Sequence, residues 1–390
     1  MYDRPMMKAI FVYLLMFGLF IGRTDAQPNM LGCAQRPTSL SQPWISSSSG
    51  ICLEEVVNDP SLGELAFTSL AVTPDNVLFA ARPHAGEVWM LTDADGDGLP
   101  ETPELAASGL TLPNALAYHD GALYISGGGH LYRWQCGILT TLVDDLPSGG
   151  GLWTGGVAVY QGRIYIGIGA PCDACDFDPA AQRGSIISVD LEGGDRRIEA
   201  RGLRYPADLV VMDGAIWVVD SARDGLFDQP DMDELNRFFP GETPHFGFPG
   251  CVGRENLPDI SSPIDCANAT APTLTFPSGS RPLGLAVYPG GSLEAIGRGL
   301  LVALGGSYNQ TELRGYRIAQ VRVDENGNVS AEVLLPVDPE PGNPVTAFTI
   351  EQINYRDSGL WRGRPYDVAV NAWGWVYISL SGGRILALRS

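Results

Sequence analysis

The chain reads as an all-β protein, a six-bladed β-propeller. One short phrase recurs six times: Pro113-Asn-Ala-Leu-Ala-Tyr118, Pro206-Ala-Asp-Leu-Val-Val211, Pro282-Leu-Gly-Leu-Ala-Val287 and Pro365-Tyr-Asp-Val-Ala-Val370, with proline-free versions at Thr68-Ser-Leu-Ala-Val72 and Gly155-Gly-Val-Ala-Val159. After most copies come a turn and a second strand, as in Asp120-Gly-Ala-Leu-Tyr-Ile125 and Trp373-Gly-Trp-Val-Tyr-Ile378. Short strands repeating at roughly 40 to 50 residues are the mark of a propeller, in which each unit buries its faces only against its neighbours. The 48 Gly and 29 Pro among 390 residues suit many tight turns and oppose a helical fold.

In chain order, residues 1–26 read as a signal peptide. Arg4 and Lys8 precede an apolar run from Ala9 to Gly22, and Thr24-Asp-Ala26 supplies small residues before a cleavage point. The run is short for a membrane span of about 20 residues, although an uncleaved anchor is the other reading. Residues 27–66 form a Ser- and Pro-rich lead-in with a strand able to close the ring, and residues 67–390 hold the six repeats. Long insertions fall near residues 220–280 and 305–362, where functional loops are the expectation. Seven cysteines in an exported chain should mostly pair: Cys33 with Cys52 and Cys251 with Cys266, leaving Cys136 as the free thiol. Cys172-Asp-Ala-Cys175 leaves a local disulfide, a redox pair and half of a metal site open, a structural bridge being preferred outside the cytosol.

Charge narrows the partners. The net charge is −20 and Lys8 is the sole lysine, so nothing supplies the dense basic surface that nucleic acid needs, and no Schiff-base lysine remains after cleavage. Asp93-Ala-Asp95-Gly-Asp97-Gly98 with Glu104 matches the calcium-loop pattern, carboxylates at alternate positions and a final Glu, and predicts a structural Ca²⁺ held by Asp93, Asp95, Asp97 and Glu104. A second acidic cluster, Asp231-Met-Asp233-Glu234-Leu-Asn236, is divided between a metal site and a solvated turn. Beside the repeated prolines stand Arg204, Arg281 and Arg364, with Asp208 and Asp367 two residues beyond Pro206 and Pro365. Equivalent repeat positions form a ring, and arginine forks suit carboxylates, so a polyanionic ligand and simple Arg–Asp ties between blades are the two readings.

On these residues a resemblance becomes usable. From about Leu70 onward the chain resembles the quinoprotein glucose/sorbosone dehydrogenase family, through Asp93-Ala-Asp-Gly-Asp-Gly98, Cys172-Asp-Ala-Cys175, Ala200-Arg-Gly-Leu-Arg-Tyr-Pro206, Phe246-Gly-Phe-Pro-Gly-Cys251, Gly305-Gly-Ser-Tyr-Asn309 and Gly363-Arg-Pro-Tyr-Asp-Val368. The resemblance implies an exported propeller, secreted or periplasmic, that binds pyrroloquinoline quinone and Ca²⁺ and oxidises a sugar or alcohol. It places Arg204, Arg281, Arg317 and Arg364 around the quinone. It also exposes a departure: where the family carries the histidine base in Gly-His-x-Thr-Arg, this chain reads Gly151-Leu152-Trp153-Thr154-Gly155. Leucine accepts no proton. His245, Asp208 and Asp367 are the candidate substitutes. A non-catalytic propeller binding a sugar, small anion or protein at the channel mouth is the alternative, and a calcium-dependent lactonase or hydrolase the distant one.

Overall fold

The computed structural model describes residues 33–36, 51–173, 175, 182–224, 232–252, 254–257, 264–307, 312–335, 347–349 and 363–390. Six four-stranded antiparallel sheets, the expected blades, surround one axis, and the described residues contain no α-helix. The recurring phrases form the inner strands Leu70–Val72, Pro113–His119, Thr154–Tyr160, Pro206–Met212, Pro282–Tyr288 and Pro365–Val370. Six apolar clusters fill the blade interfaces, one for each adjoining pair, as in the packing of Phe79 and Val88 on Leu116 and Leu123 between blades 1 and 2. Closure comes from the N-terminal strand Cys52–Asn58, which pairs with Arg384–Arg389 as the outermost strand of blade 6. That pairing covers an edge that would otherwise stay open.

Five inner strands slip register just after their first residues, between Pro113 and Ala115, Thr154 and Val157, Pro206 and Asp208, Pro282 and Gly284, and Pro365 and Asp367. Such a bulge turns one residue sideways toward the next blade. The space there is small: a Cβ on Gly156 would lie 2.4 Å from the Asp208 Cα, and one on Gly284 2.4 Å from the Asp367 Cα. Where the residue is polar it bonds across the gap. Asp208 Oδ2 accepts from Leu285 N at 2.8 Å and Asp367 Oδ2 from Leu70 N at 2.6 Å, and Ser69 Oγ, just before the blade 1 inner strand, accepts from Leu116 N at 3.1 Å.

The disulfides Cys33–Cys52, Cys172–Cys175 and Cys251–Cys266 are formed, and Cys136 is exposed and unpaired, as expected. No helix among the described residues is long and apolar enough to cross a membrane. Residues 1–26, expected to be a signal peptide, and Asp231 lie outside the described residues.

Candidate functional site at the channel mouth

The starts of the six inner strands converge on a cleft of about 200 Å³ that opens to solvent. Every blade or the loop leading into it contributes: Thr68, Asn114, Leu152 and Trp153, Tyr205, Arg281, and Tyr366. The lining is mainly aromatic and aliphatic, and Arg281 is its one charged residue among the described residues. Two tyrosines and a tryptophan around a cleft suit a flat ligand or the C–H face of a sugar ring.

Buried polar groups hold these side chains in place. Arg183, buried, donates to the carbonyls of Gly149, Leu152, Gly169 and Ala170 at 2.6, 3.3, 2.5 and 2.9 Å, and so fixes the loop that carries Leu152 and Trp153. Asp220 accepts from the backbone N–H of Arg204 at 3.0 Å and of Tyr205 at 2.5 Å. Asp233 accepts from Arg281 N at 3.0 Å and Ala222 N at 2.8 Å. Asn114 Nδ2 donates to Thr154 O at 3.0 Å and to the Tyr205 hydroxyl at 3.2 Å, linking blades 2, 3 and 4 under the cleft. Sequence reading missed Arg183 and Asp220, since neither stands at a recurring position. Asp233, expected in a metal site or a solvated turn, is instead buried in a strand with Glu234 and Asn236 and serves as a backbone acceptor.

The expected arginine ring is largely committed to the protein. Arg204 is buried and meets Asp173 through Nη2 at 2.6 Å and Nε at 3.0 Å. Arg364 donates to the carbonyls of Gly305, Gly306 and Ser307 at 3.0, 2.6 and 3.0 Å and lies over the Tyr316 ring. Arg317 is buried at the start of the blade 5 strand Arg317–Val323. Of the four, Arg281 lines the cleft.

The candidate bases are placed elsewhere. His245 accepts from Gly247 N at 3.1 Å within its own loop, does not line the cleft, and has its pKa lowered by burial and then by Arg201. Asp208 and Asp367 sit among the inner strands, buried and facing one another. Burial first, then the neighbouring Asp367, raises Asp208; burial raises Asp367, while backbone N–H groups oppose it. These acids join blades. All four histidines are described, and none lines the cleft. His84 comes nearest by contact: its exposed ring is 6.0 Å from that of Trp153. The sequence does not show this proximity, because the blade 1 and blade 3 loops meet only in three dimensions.

Pyrroloquinoline quinone carries three carboxylates, and the quinone site implied by resemblance would add a metal and a base. The described lining offers one arginine, no carboxylate and no histidine. These residues do not fit that group.

The acidic loop does fit a cation. Asp93, Asp95, Asp97 and Glu101 bring ligand oxygens within 4.8 Å of one another, and Glu101 Oε2 is buried with no hydrogen-bond partner among the described residues. Glu104 is not brought to this cluster. It stands opposite Met90 in the strand Thr102–Ser108, exposed, because that strand begins two residues before it. The loop lies at the end of the propeller away from the cleft, beside turns that follow inner strands: Asn76 donates to Gly98 O at 2.9 Å, and a Cβ on Gly98 would touch Trp375. A metal held there would order a loop, far from any chemistry at the mouth.

Solved structures share this architecture. The chain superposes on the carbohydrate-active enzyme of family AA12 from Trichoderma reesei with TM-score 0.69 and 18% identity over 90% of this chain and 98% of that one, and on its calcium structure with TM-score 0.66, 18% identity and 90% and 97% coverage. Against the holo pyranose dehydrogenase PQQ domain of Coprinopsis cinerea the TM-score is 0.66, with 17% identity and 87% and 96% coverage. Against the soluble aldose sugar dehydrogenase of Escherichia coli it is 0.58, with 15% identity and 87% and 99% coverage. No family model matches the sequence, and no curated protein matches it. At these identities the likeness establishes the fold, that of the soluble aldose sugar dehydrogenase-like propellers.

Proposed function

We propose that this propeller binds a sugar at its channel mouth and does not oxidise it. The similar solved propellers are sugar dehydrogenases and a carbohydrate-active enzyme, which supports a sugar as ligand. The observation that carries the second half is Leu152: it lines the cleft in the segment where the resemblance expects a histidine base, and no other described lining residue can take a hydroxyl proton at neutral pH. Aromatic side chains and amide and hydroxyl groups remain, a lining suited to holding a sugar. The disulfides fit work outside the cytosol, secreted or periplasmic. A Ca²⁺ ion on Asp93, Asp95, Asp97 and Glu101 would stabilise the fold from the far end.

A second reading is oxidation with a displaced base, and His84 beside Trp153 favours it. Titration of the purified protein with glucose, galactose and xylose, followed by tryptophan fluorescence, tests the binding. Saturable quenching that Trp153→Leu removes is the expected result. An unchanged signal across the panel, confirmed by calorimetry, would remove sugar binding.

A further inference from the structure

We infer that the Cys172–Cys175 disulfide is a redox switch beside the cleft, which an external dithiol opens without unfolding the propeller; its effect on sugar binding rests on the reading above.

Access and loop length set this bridge apart. Both of its cysteines are partly exposed, whereas each of the other two bridges has a buried partner, Cys52 in one and Cys251 with Cys266 in the other. Exchange begins with a thiolate reaching a sulfur, so the accessible bridge reacts first. Its cysteines are separated by 3 positions, against 19 for Cys33–Cys52 and 15 for Cys251–Cys266. The stability that a cross-link gives grows with the logarithm of the loop it closes, so this bridge contributes least to the fold and acts on what stands beside it.

Beside it stands the mouth. Asp173, inside the closed loop, accepts on Oδ1 from Arg204 Nε at 3.0 Å, from Arg204 Nη2 at 2.6 Å and from Asp224 N at 2.9 Å. Pro171 O, just before the loop, accepts from Gly151 N at 3.1 Å, and a Cβ on Gly150 would lie 2.4 Å from that oxygen. Arg204 O in turn accepts from Ala170 N at 2.8 Å. The loop thus ties the segment before Leu152 and Trp153 to the segment before Tyr205, and these three residues line the cleft. The Asp173 side chain is 46% exposed, where an ion pair is screened and weak unless its geometry is set in advance. Closing the short ring sets it, by holding Asp173 to few conformations. Arg183 joins Gly149 and Leu152 to Gly169 and Ala170 independently of the bridge, so the mouth loosens when the bridge opens and does not come apart.

The step is a two-electron exchange. One thiolate of the dithiol attacks a sulfur of the pair, its second thiol resolves the mixed disulfide, and the reagent leaves as a disulfide while Cys172 and Cys175 each gain an electron and a proton.

Graded reduction of the full chain with dithiothreitol, in a Cys136→Ser background that removes the free thiol, tests this. Alkylation followed by peptide mass spectrometry should find Cys172 and Cys175 open at dithiol concentrations that leave the other two bridges closed. Hydrogen exchange at Gly151, Ala170 and Asp224 should then rise about three- to tenfold, the worth of one hydrogen bond, while exchange in the blade strands stays as it was. Glucose should bind about three- to tenfold more weakly to the reduced protein, the usual cost of ordering one or two side chains. Cys172→Ser with Cys175→Ser should show the reduced behaviour throughout and ignore the dithiol. Asp173→Asn, with the bridge intact, should lose part of the protection at Asp224 and Ala170. Opening of all three bridges together, loss of protection across the blades, or unchanged exchange at Gly151, Ala170 and Asp224 after opening would each overturn the switch. Equal glucose affinity in the two states would overturn its control of the cleft. Raised exchange with no glucose binding in either state would uphold the switch and remove the sugar reading.

Discussion

Asp208 and Asp367 show how far a residue can be read from its place in a repeat. Their equivalence was visible in the sequence, as was the ring it implies, but their direction was not. The bulge after Pro206 and Pro365 turns both side chains into the next blade, where Leu285 N and Leu70 N bind them. With Asp220 and Asp233 they make four buried carboxyls whose pKa is raised by burial: Asp208 well above the ordinary range, Asp367 and Asp220 to about 7, and Asp233 to about 6. In the unfolded chain each titrates near about 3.9. Between those values the folded protein holds more protons than the unfolded chain, so stability falls as pH rises, by about 1.4 kcal/mol per unit for each such proton. The contribution of these acids is therefore fullest at or below about pH 4, and the expected melting temperature declines from there to about pH 7. Asp367→Asn should remove about one proton from that slope. A melting temperature that rises steadily over the same range would contradict the placement of these acids.

At the scale of the element, the acidic loop was legible as a cation loop and misread at its end. A twelve-residue pattern runs from Asp93 to Glu104, but strand pairing takes over at Thr102 and carries Glu104 into the sheet. Glu101, last before the strand, takes its place. The loop also touches the closure of the ring. Arg389 donates to Asp97 O at 2.9 Å and to Glu54 Oε1 at 2.9 Å, and Arg36 donates to Glu54 Oε2 at 3.0 Å, so the loop meets the strands that join the two ends of the chain. Chelation should lower the melting temperature. A ligand at a hundred times its Kd stabilises the folded state by about 2.7 kcal/mol, and Asp95→Ala or Glu101→Gln should lose most of that while Glu104→Gln loses little. Equal effects of the two Glu variants would restore Glu104 as the ligand; an unchanged melt with chelator would remove the metal.

For the whole molecule, six blades could be counted in the sequence because the inner strand must repeat: each copy packs on the next around a common axis. What the repeat could not show is what the connecting loops build where they meet. Leu152 in place of an expected base was a reading the family resemblance offered, but the commitment of Arg204 and Arg364 to neighbouring blades depends on Asp173 and on carbonyls far away in sequence. The nearness of His84 to Trp153 depends likewise on two blades meeting. The molecule has the fold of the similar sugar-oxidising propellers, and on the proposed reading the described lining of its mouth holds no proton acceptor for oxidation. Dye reduction by the unaltered protein, supplied with pyrroloquinoline quinone, Ca²⁺ and a panel of aldoses, tests this most directly. A positioned base is worth about a hundred- to ten-thousandfold. The expected result is no turnover above the protein-free control, with a trace gained in Leu152→His; robust turnover by the unaltered protein would contradict the account and point to His84.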